Sequence, residues 1–217
     1  MDDTTKADQD GYIRHDAITD WALKTFHEQY KDTSITKEDI FWYVYGILHS
    51  PEYRTRFAND LKKMLPRIPY ATDFWVFSKA GGELGEWHLN YETVEPWPLK
   101  EVFHGTIEDY RVVKMRFGKN EHGKADKSVI RYNDYLSLTG IPLEVYEYVV
   151  NGRPAIEWIM DRYEVTTDKA SGIVNDPNKW ADEHGEPRYI VDLLSRVVRV
   201  SMESVRIVKR LDGLAIQ

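Results

Sequence analysis

The chain has 217 residues, 42% of them apolar and 13% aromatic, with seven Trp, fourteen Tyr and no Cys. This content excludes a disordered polymer. The missing cysteine excludes a disulfide framework, thiolate zinc sites and cysteine nucleophiles. No apolar run approaches the ~20 residues of a bilayer span, and the polar start Met1-Asp2-Asp3-Thr4 is no signal peptide, so the chain reads as cytoplasmic, with no membrane partner. A net charge of −7 argues against a nucleic-acid binder. Charge acts locally, however, and is screened beyond about 8–10 Å at ordinary salt, so a basic face on an acidic chain can still hold phosphate.

In chain order, residues 1–12 read as a disordered, solvated tail. No Gly/Ser linker or repeat follows, so 13–217 reads as one domain of α+β class, mostly helical with a small antiparallel β-sheet in the middle of the chain. Region 13–95 reads as helical, with Ile18, Trp21, Ala22, Thr25 and Phe26 at helical spacing. Thr36-Lys37-Glu38-Asp39 resembles a capping box, with Asp in place of Glu or Gln. It opens the run Ile40 to Leu48, apolar on nearly every side and expected to be the most buried helix. Ser50-Pro51 predicts an N-cap and first turn for a helix carrying Tyr53, Phe57, Leu61 and Met64 on one face, ended by Pro66 and Pro69. Thr72 is expected to cap a further helix through Phe74, Phe77, Leu84 and Trp87, broken or kinked by Gly81-Gly82.

Region 96–140 reads as β. Pro96-Trp97-Pro98 blocks helix, and Tyr110 to Phe117 alternates Val113, Met115 and Phe117 against Val112, Lys114 and Arg116. Ser128–Tyr132 and Tyr135–Thr139 are its expected partners, with Gly118–Lys127 as the hairpin loop. Region 141–217 returns to helix over Pro154–Tyr163 and Arg188–Leu211. Between them, 168–177 is a turn-rich loop containing Ser171-Gly172 and Asp176-Pro177.

No catalytic constellation stands out. Gly118-Lys119-Asn120-Glu121-His122-Gly123-Lys124-Ala125 matches the phosphate-cradling G-x-x-x-x-G-K-[ST] except at its last position, where Ala125 lacks the magnesium-binding hydroxyl. A strand pattern follows it rather than a helix, which makes a glycine-containing hairpin the plainer reading. The seven histidines show no metal-ligand spacing, and the thirty-six acids mark no pair. No catalytic residue, metal site or cofactor is assigned.

Two basic clusters remain. Arg54, Arg56, Lys62, Lys63 and Arg67 outnumber Glu52 and Asp60 in 51–70, and Arg188, Arg196, Arg199, Arg206, Lys209 and Arg210 outnumber Asp192 and Glu203 in 187–211. Each is either a solvated helix face with i,i+4 ion pairs or a set of phosphate contacts on a duplex. The hairpin tip adds Lys119, Lys124 and Lys127, with Asn120 and His122 as hydrogen-bonding side chains. It is either a polar loop or a β-ribbon suited to a major groove.

Three stretches are informative together: Asp39 to Arg54 continuing to Leu65-Pro66-Arg67-Ile68-Pro69, then Asn151-Gly152-Arg153-Pro154-Ala155-Ile156-Glu157-Trp158, then Asp161-Arg162-Tyr163 through Thr167-Asp168-Lys169-Ala170-Ser171-Gly172-Ile173-Val174-Asn175-Asp176-Pro177-Asn178. In this order they resemble the C-terminal specificity region of type ISP restriction-modification enzymes, a region also carried by related helicase-like proteins. In that family one polypeptide joins a nuclease, a helicase-type ATPase, an adenine-N6 methyltransferase and a target-recognition domain. The resemblance implies that this chain corresponds to the last part alone, with Met1 and the acidic tail marking a cut from a longer protein. Residues 13–217 would then be a single target-recognition domain. Asn175-Asp176-Pro177-Asn178 is not the methyltransferase signature N-P-P-Y, so no catalytic residue is carried over.

What the resemblance implies is a non-catalytic module that positions double-stranded DNA for a methyltransferase and nuclease supplied by other domains, its partners being DNA and the parent's methyltransferase and helicase domains. Arg54, Lys62, Lys63 and Arg67 are expected to hold phosphates, and Lys119, Asn120, Lys124, Lys127 and Arg131 to approach bases or adjacent backbone. The alternatives are a protein-interaction domain that couples the motor and methyltransferase parts without touching DNA, and a free-standing enzyme.

Overall fold

The computed structural model describes residues 9–13, 15–64 and 66–216, so the expected tail falls largely outside the described residues. The fold is α+β. The chain divides into two compact units, Met1–Glu86 with Ile207–Gln217, and Trp87–Arg206.

In the first unit, α1 (Asp20–Tyr30) begins where Thr19 Oγ1 accepts the Ala22 amide at 3.1 Å. Phe26 is buried, but Trp21 is exposed: five residues away, it lies roughly 140° round the helix from Phe26. The capping box of α2 (Lys37–His49) is complete, with Thr36 Oγ1 accepting the Asp39 amide and the Asp39 carboxylate accepting the Thr36 amide. Only one stripe of α2 is buried, namely Ile40, Tyr43, Gly46 and Ile47. Phe41 is half exposed, and α8 (Tyr189–Arg210) is buried at more of its positions than α2, which corrects the expected ranking. An all-apolar helix needs packing on every side to be central, and α2 has it on one.

Ser50 Oγ accepts the Tyr53 amide and Pro51 opens α3 (Pro51–Arg56), as Ser-Pro chemistry predicts. The single helix expected through Met64 is instead broken at Phe57 and resumes as α4 (Ala58–Lys62). Met64 takes a left-handed backbone (φ 56°) and faces solvent; that conformation ends the helix just ahead of Pro66. The cap of α5 (Phe74–Leu89) is Asp73, whose carboxylate accepts the Val76 amide at 3.2 Å. Thr72 is occupied elsewhere: its amide and hydroxyl both donate to the Ala215 carbonyl. Nor does Gly81-Gly82 interrupt α5. Gly81 and Gly46 let α2 and α5 touch backbone to backbone. Tyr43 anchors this core: its hydroxyl donates to the Pro69 carbonyl at 2.8 Å and accepts the Ala71 amide at 2.7 Å. Burial pushes that hydroxyl far above the ordinary tyrosine pKa, so it stays protonated and able to donate.

The second unit is built on a four-stranded antiparallel sheet in the order β1-β4-β3-β2: β1 (Lys100–Phe103), β2 (Arg116–Lys119), β3 (Ala125–Arg131) and β4 (Leu136–Thr139). Its inner face carries Ile130, Leu136 and Leu138, packed in one cluster with Ile156 of α6 (Ala155–Arg162) and Ile190 and Leu194 of α8. The expected strand over Tyr110–Phe117 begins only at Arg116, and its alternation fails at the start: Val112 is buried and Val113 exposed, whereas Met115 is buried and Lys114 and Arg116 are exposed, as the pattern has them. The cause is Asn178, the first residue of α7 (Asn178–His184). Its buried side chain accepts the Val112 amide and donates to the Val112 carbonyl, both at 2.8 Å. A side chain, not a strand, satisfies that backbone.

Two short ribbons complete the unit. β5 (Val149–Val150) and β6 (Arg153–Pro154) join through Asn151-Gly152, both at positive φ, a two-residue hairpin turn. The turn-rich stretch at 168–177 lies at β7 (Thr166–Thr167) and β8 (Val174–Asn175). There the Asp168 carboxylate accepts the Ala170 and Ser171 amides and the Ser171 hydroxyl.

Candidate nucleic-acid interface

The β2–β3 hairpin is shorter and tighter than the sequence pattern implies. Its loop closes through Asn120, whose side-chain oxygen accepts the His122 and Lys124 amides, each at 3.0 Å. Gly123 supplies the positive φ of 73° that the turn needs. Gly118 sits at a bulge, where a Cβ would come 2.8 Å from that of Val129. The glycine-rich stretch leads into β3 rather than a helix, so no row of helix amides faces a phosphate there.

The five hairpin candidates fall into distinct roles. Lys119 and Lys124 are exposed and in no ion pair among the described residues. They flank exposed Glu121 and His122 at the tip. Asn120, expected to approach bases, has its carbonyl oxygen committed to the loop. Lys127 points along the sheet: its ammonium lies 2.8 Å from Glu157 and between the rings of Phe117 and Tyr146, at 5.2 and 4.7 Å. That is the setting of a structural cation. Arg131 is exposed on the outer face of the sheet, opposite Arg116. Arg116 was not among the candidates. The alternation around Phe117 put it on the solvent side, but only the hairpin register sets it against Arg131.

The other four candidates belong to the first unit. Arg54 donates through Nε to the Leu48 carbonyl at 3.0 Å. Lys62, Lys63 and Arg67 are exposed, and none of the four is in an ion pair among the described residues.

The C-terminal basic cluster is largely neutralised. Arg188 makes a two-pronged pair with Glu101, at 2.6 and 3.2 Å, and lies over the Tyr110 ring. Arg199 and Arg206 both approach Glu203, and Arg210 pairs with Glu83. The Arg188 guanidinium holds the Glu101 carboxyl below its usual pKa, against opposing desolvation. A depressed carboxyl stabilises the fold above its unfolded pKa, and that stability is lost as pH falls through the folded value. Glu101→Gln is therefore expected to cost about 1 kcal/mol at neutral pH and to flatten the acid limb of the stability curve below about pH 4.5. Urea denaturation at pH 7 and in acid checks this, and equal acid losses in both proteins would contradict it.

Two recesses in the second unit bear on chemistry. One, of about 540 Å³, is lined by Tyr91, Tyr148, Trp158 and His88 and contains no carboxylate. The other, of about 660 Å³, contains Asp161, Glu164 and Asp176. Each of these is tied to a cation, respectively Arg153, Lys114 and Arg111. In the first recess His88 Nε2 lies 3.1 Å from the Tyr148 hydroxyl.

A family model described as the Type ISP C-terminal specificity domain matches residues 1–193. The chain is 45% identical to part of a nuclease-deletion mutant of the Type ISP restriction-modification enzyme LlaGI, solved in complex with a DNA substrate mimic, with a TM-score of 0.73 over 84% of this chain and 14% of that one. Against the ATP-dependent Type ISP restriction-modification enzyme LlaBIII bound to DNA, identity is 38% and the TM-score 0.75, over 88% of this chain and 12% of that one. Against a DrdV–DNA complex they are 34% and 0.79, over 95% of this chain and 21% of that one. No curated protein sequence matches the chain.

Proposed function

Because this chain belongs to the Type ISP C-terminal specificity domain family, we propose that it is a DNA target-recognition module, itself non-catalytic, that sets where a larger restriction-modification polypeptide acts. The methyltransferase, motor and nuclease parts of that polypeptide are its partners in this reading, and double-stranded DNA is its ligand. The observation that carries the reading is the contrast between cations. Lys127 and Arg188, which pack against the fold, have carboxylate partners, whereas Lys119 and Lys124 at the hairpin tip have none among the described residues. A two-stranded ribbon fits a major groove, where a bidentate side-chain contact discriminates bases by about 1–3 kcal/mol. With the Asn120 oxygen committed to its loop, His122 and Lys124 are the side chains left for base edges and Lys119 for phosphate.

Fluorescence anisotropy with duplex DNA at low and physiological salt tests this. The chain is expected to bind with a steep salt dependence despite its net charge of −7. Lys119→Ala with Lys124→Ala is expected to weaken binding and lower the salt slope by about 1–2. Lys127→Ala is expected to leave the slope unchanged and to lower stability by about 1 kcal/mol. Absence of duplex binding at low salt would refute the reading.

A further inference from the structure

We infer that Arg116 and Arg131 together form a clamp for one backbone phosphate on the outer face of the four-stranded sheet, and that this clamp positions the DNA without reading its sequence. Arg116 on β2 and Arg131 on β3 are direct partners across the antiparallel pair. Their neighbours Phe117 and Ile130 form the next pair and face the core, so the arginines face outward. Both are exposed.

Like charges directly opposite one another on adjacent strands repel. Elsewhere in this unit Arg111, Arg153, Arg188, Arg199 and Arg206 each have a carboxylate partner, and Arg196 donates to the Val94 carbonyl. Arg116 and Arg131 have no carboxylate partner among the described residues. They line a shallow recess of about 220 Å³ with Val113, Lys114, Asn133 and Asp134. Asp134, its only carboxylate, pairs with neither arginine, and Lys114 is engaged by Glu164 at 2.6 Å. Asn133 is spent on the backbone of Asp109, Arg111, Tyr135 and Leu136. The recess thus offers two guanidinium forks and little competition for them. A phosphodiester has two free oxygens, one for each fork, and guanidinium geometry matches it.

The clamp rests on the reading of the chain as a DNA-recognition module and adds the ligand group and its role. It lies at the base of the hairpin whose tip carries Lys119 and Lys124, so a phosphate held there fixes how far the tip enters the groove. Phosphate contacts position, whereas base contacts specify.

The test uses the whole chain with Arg116→Gln/Arg131→Gln and with Arg116→Lys/Arg131→Lys. The glutamine variant is expected to weaken duplex binding roughly tenfold, equally for all sequences, and to reduce the salt slope by about 1. The lysine variant is expected to keep the slope and lose part of the affinity, since charge remains without the fork. Melting curves at rising inorganic phosphate, at constant ionic strength, supply a second readout that also shows both variants folded. The parent chain's melting temperature is expected to rise and that of the glutamine variant to rise less. Parent binding with unchanged affinity and slope in the glutamine variant would overturn the clamp alone. Phosphate stabilisation with unchanged duplex affinity would make it a free-anion site and overturn it too. Failure of the parent to bind duplex would overturn the recognition reading and the clamp with it.

Discussion

Gly81→Ala is expected to destabilise the first unit by about 3 kcal/mol or more, while Gly82→Ala, one residue on, is expected to stabilise it by up to about 1 kcal/mol. A Cβ on Gly81 would lie 1.8 Å from the Trp42 carbonyl oxygen and 2.8 Å from the Gly46 nitrogen. Both are backbone atoms of α2, so no rotamer can relieve the clash; the helices must part, and the core around Tyr43, Phe74 and Phe77 must open with them. At Gly82 the nearest atom would be 3.9 Å away, leaving only the gain in helix propensity. Urea denaturation of both variants decides the point, and equal stabilities would show that α2 and α5 are not in backbone contact.

Asn178→Leu is expected to cost about 2–4 kcal/mol, because it leaves the Val112 amide and carbonyl buried without partners. Asn178→Asp is no rescue. It keeps an acceptor for the amide but sets a carboxylate against the Val112 carbonyl and beside Asp176. Hydrogen exchange at Val112 gives a local readout: its amide should be protected in the parent chain and exchange faster in the leucine variant. Unchanged protection would mean that something other than Asn178 holds this segment.

These two positions show how far the sequence could be read. The helix starts at Thr36 and Ser50 were legible because a cap is written within four residues and its partners are the neighbouring amides. The hairpin was legible too, because its two strands are close in the chain, but the β5–β6 and β7–β8 ribbons lie within the 141–217 region that reads as helical. Asn178 was not legible. It supports Val112 from 66 residues away, and nothing in the Tyr110–Phe117 alternation indicates that its backbone will be paired by a side chain. The glycines at 81 and 82 looked like a break because a helix read alone only loses by them; the gain at Gly81 appears only when α2 lies against it.

The candidate interface divides in the same way. In sequence, the basic residues of 187–211 and those of the hairpin each have two readings, a solvated surface or DNA contacts, although only the hairpin's are expected to touch DNA. Tertiary structure separates them, because Glu101 and Glu83 reach Arg188 and Arg210 from 87 and 127 residues away, and Glu157 reaches Lys127 from 30.

The sequence by itself therefore determined the caps at Thr36 and Ser50 and the resemblance that led to the specificity-domain family. All of these are carried by contiguous residues. Only the tertiary structure decided which cations are spent on carboxylates, which way Val112 and Val113 face, and that Arg116 stands against Arg131. Those outcomes depend on which distant group satisfies a charge or a backbone amide, and that choice is made when the chain packs.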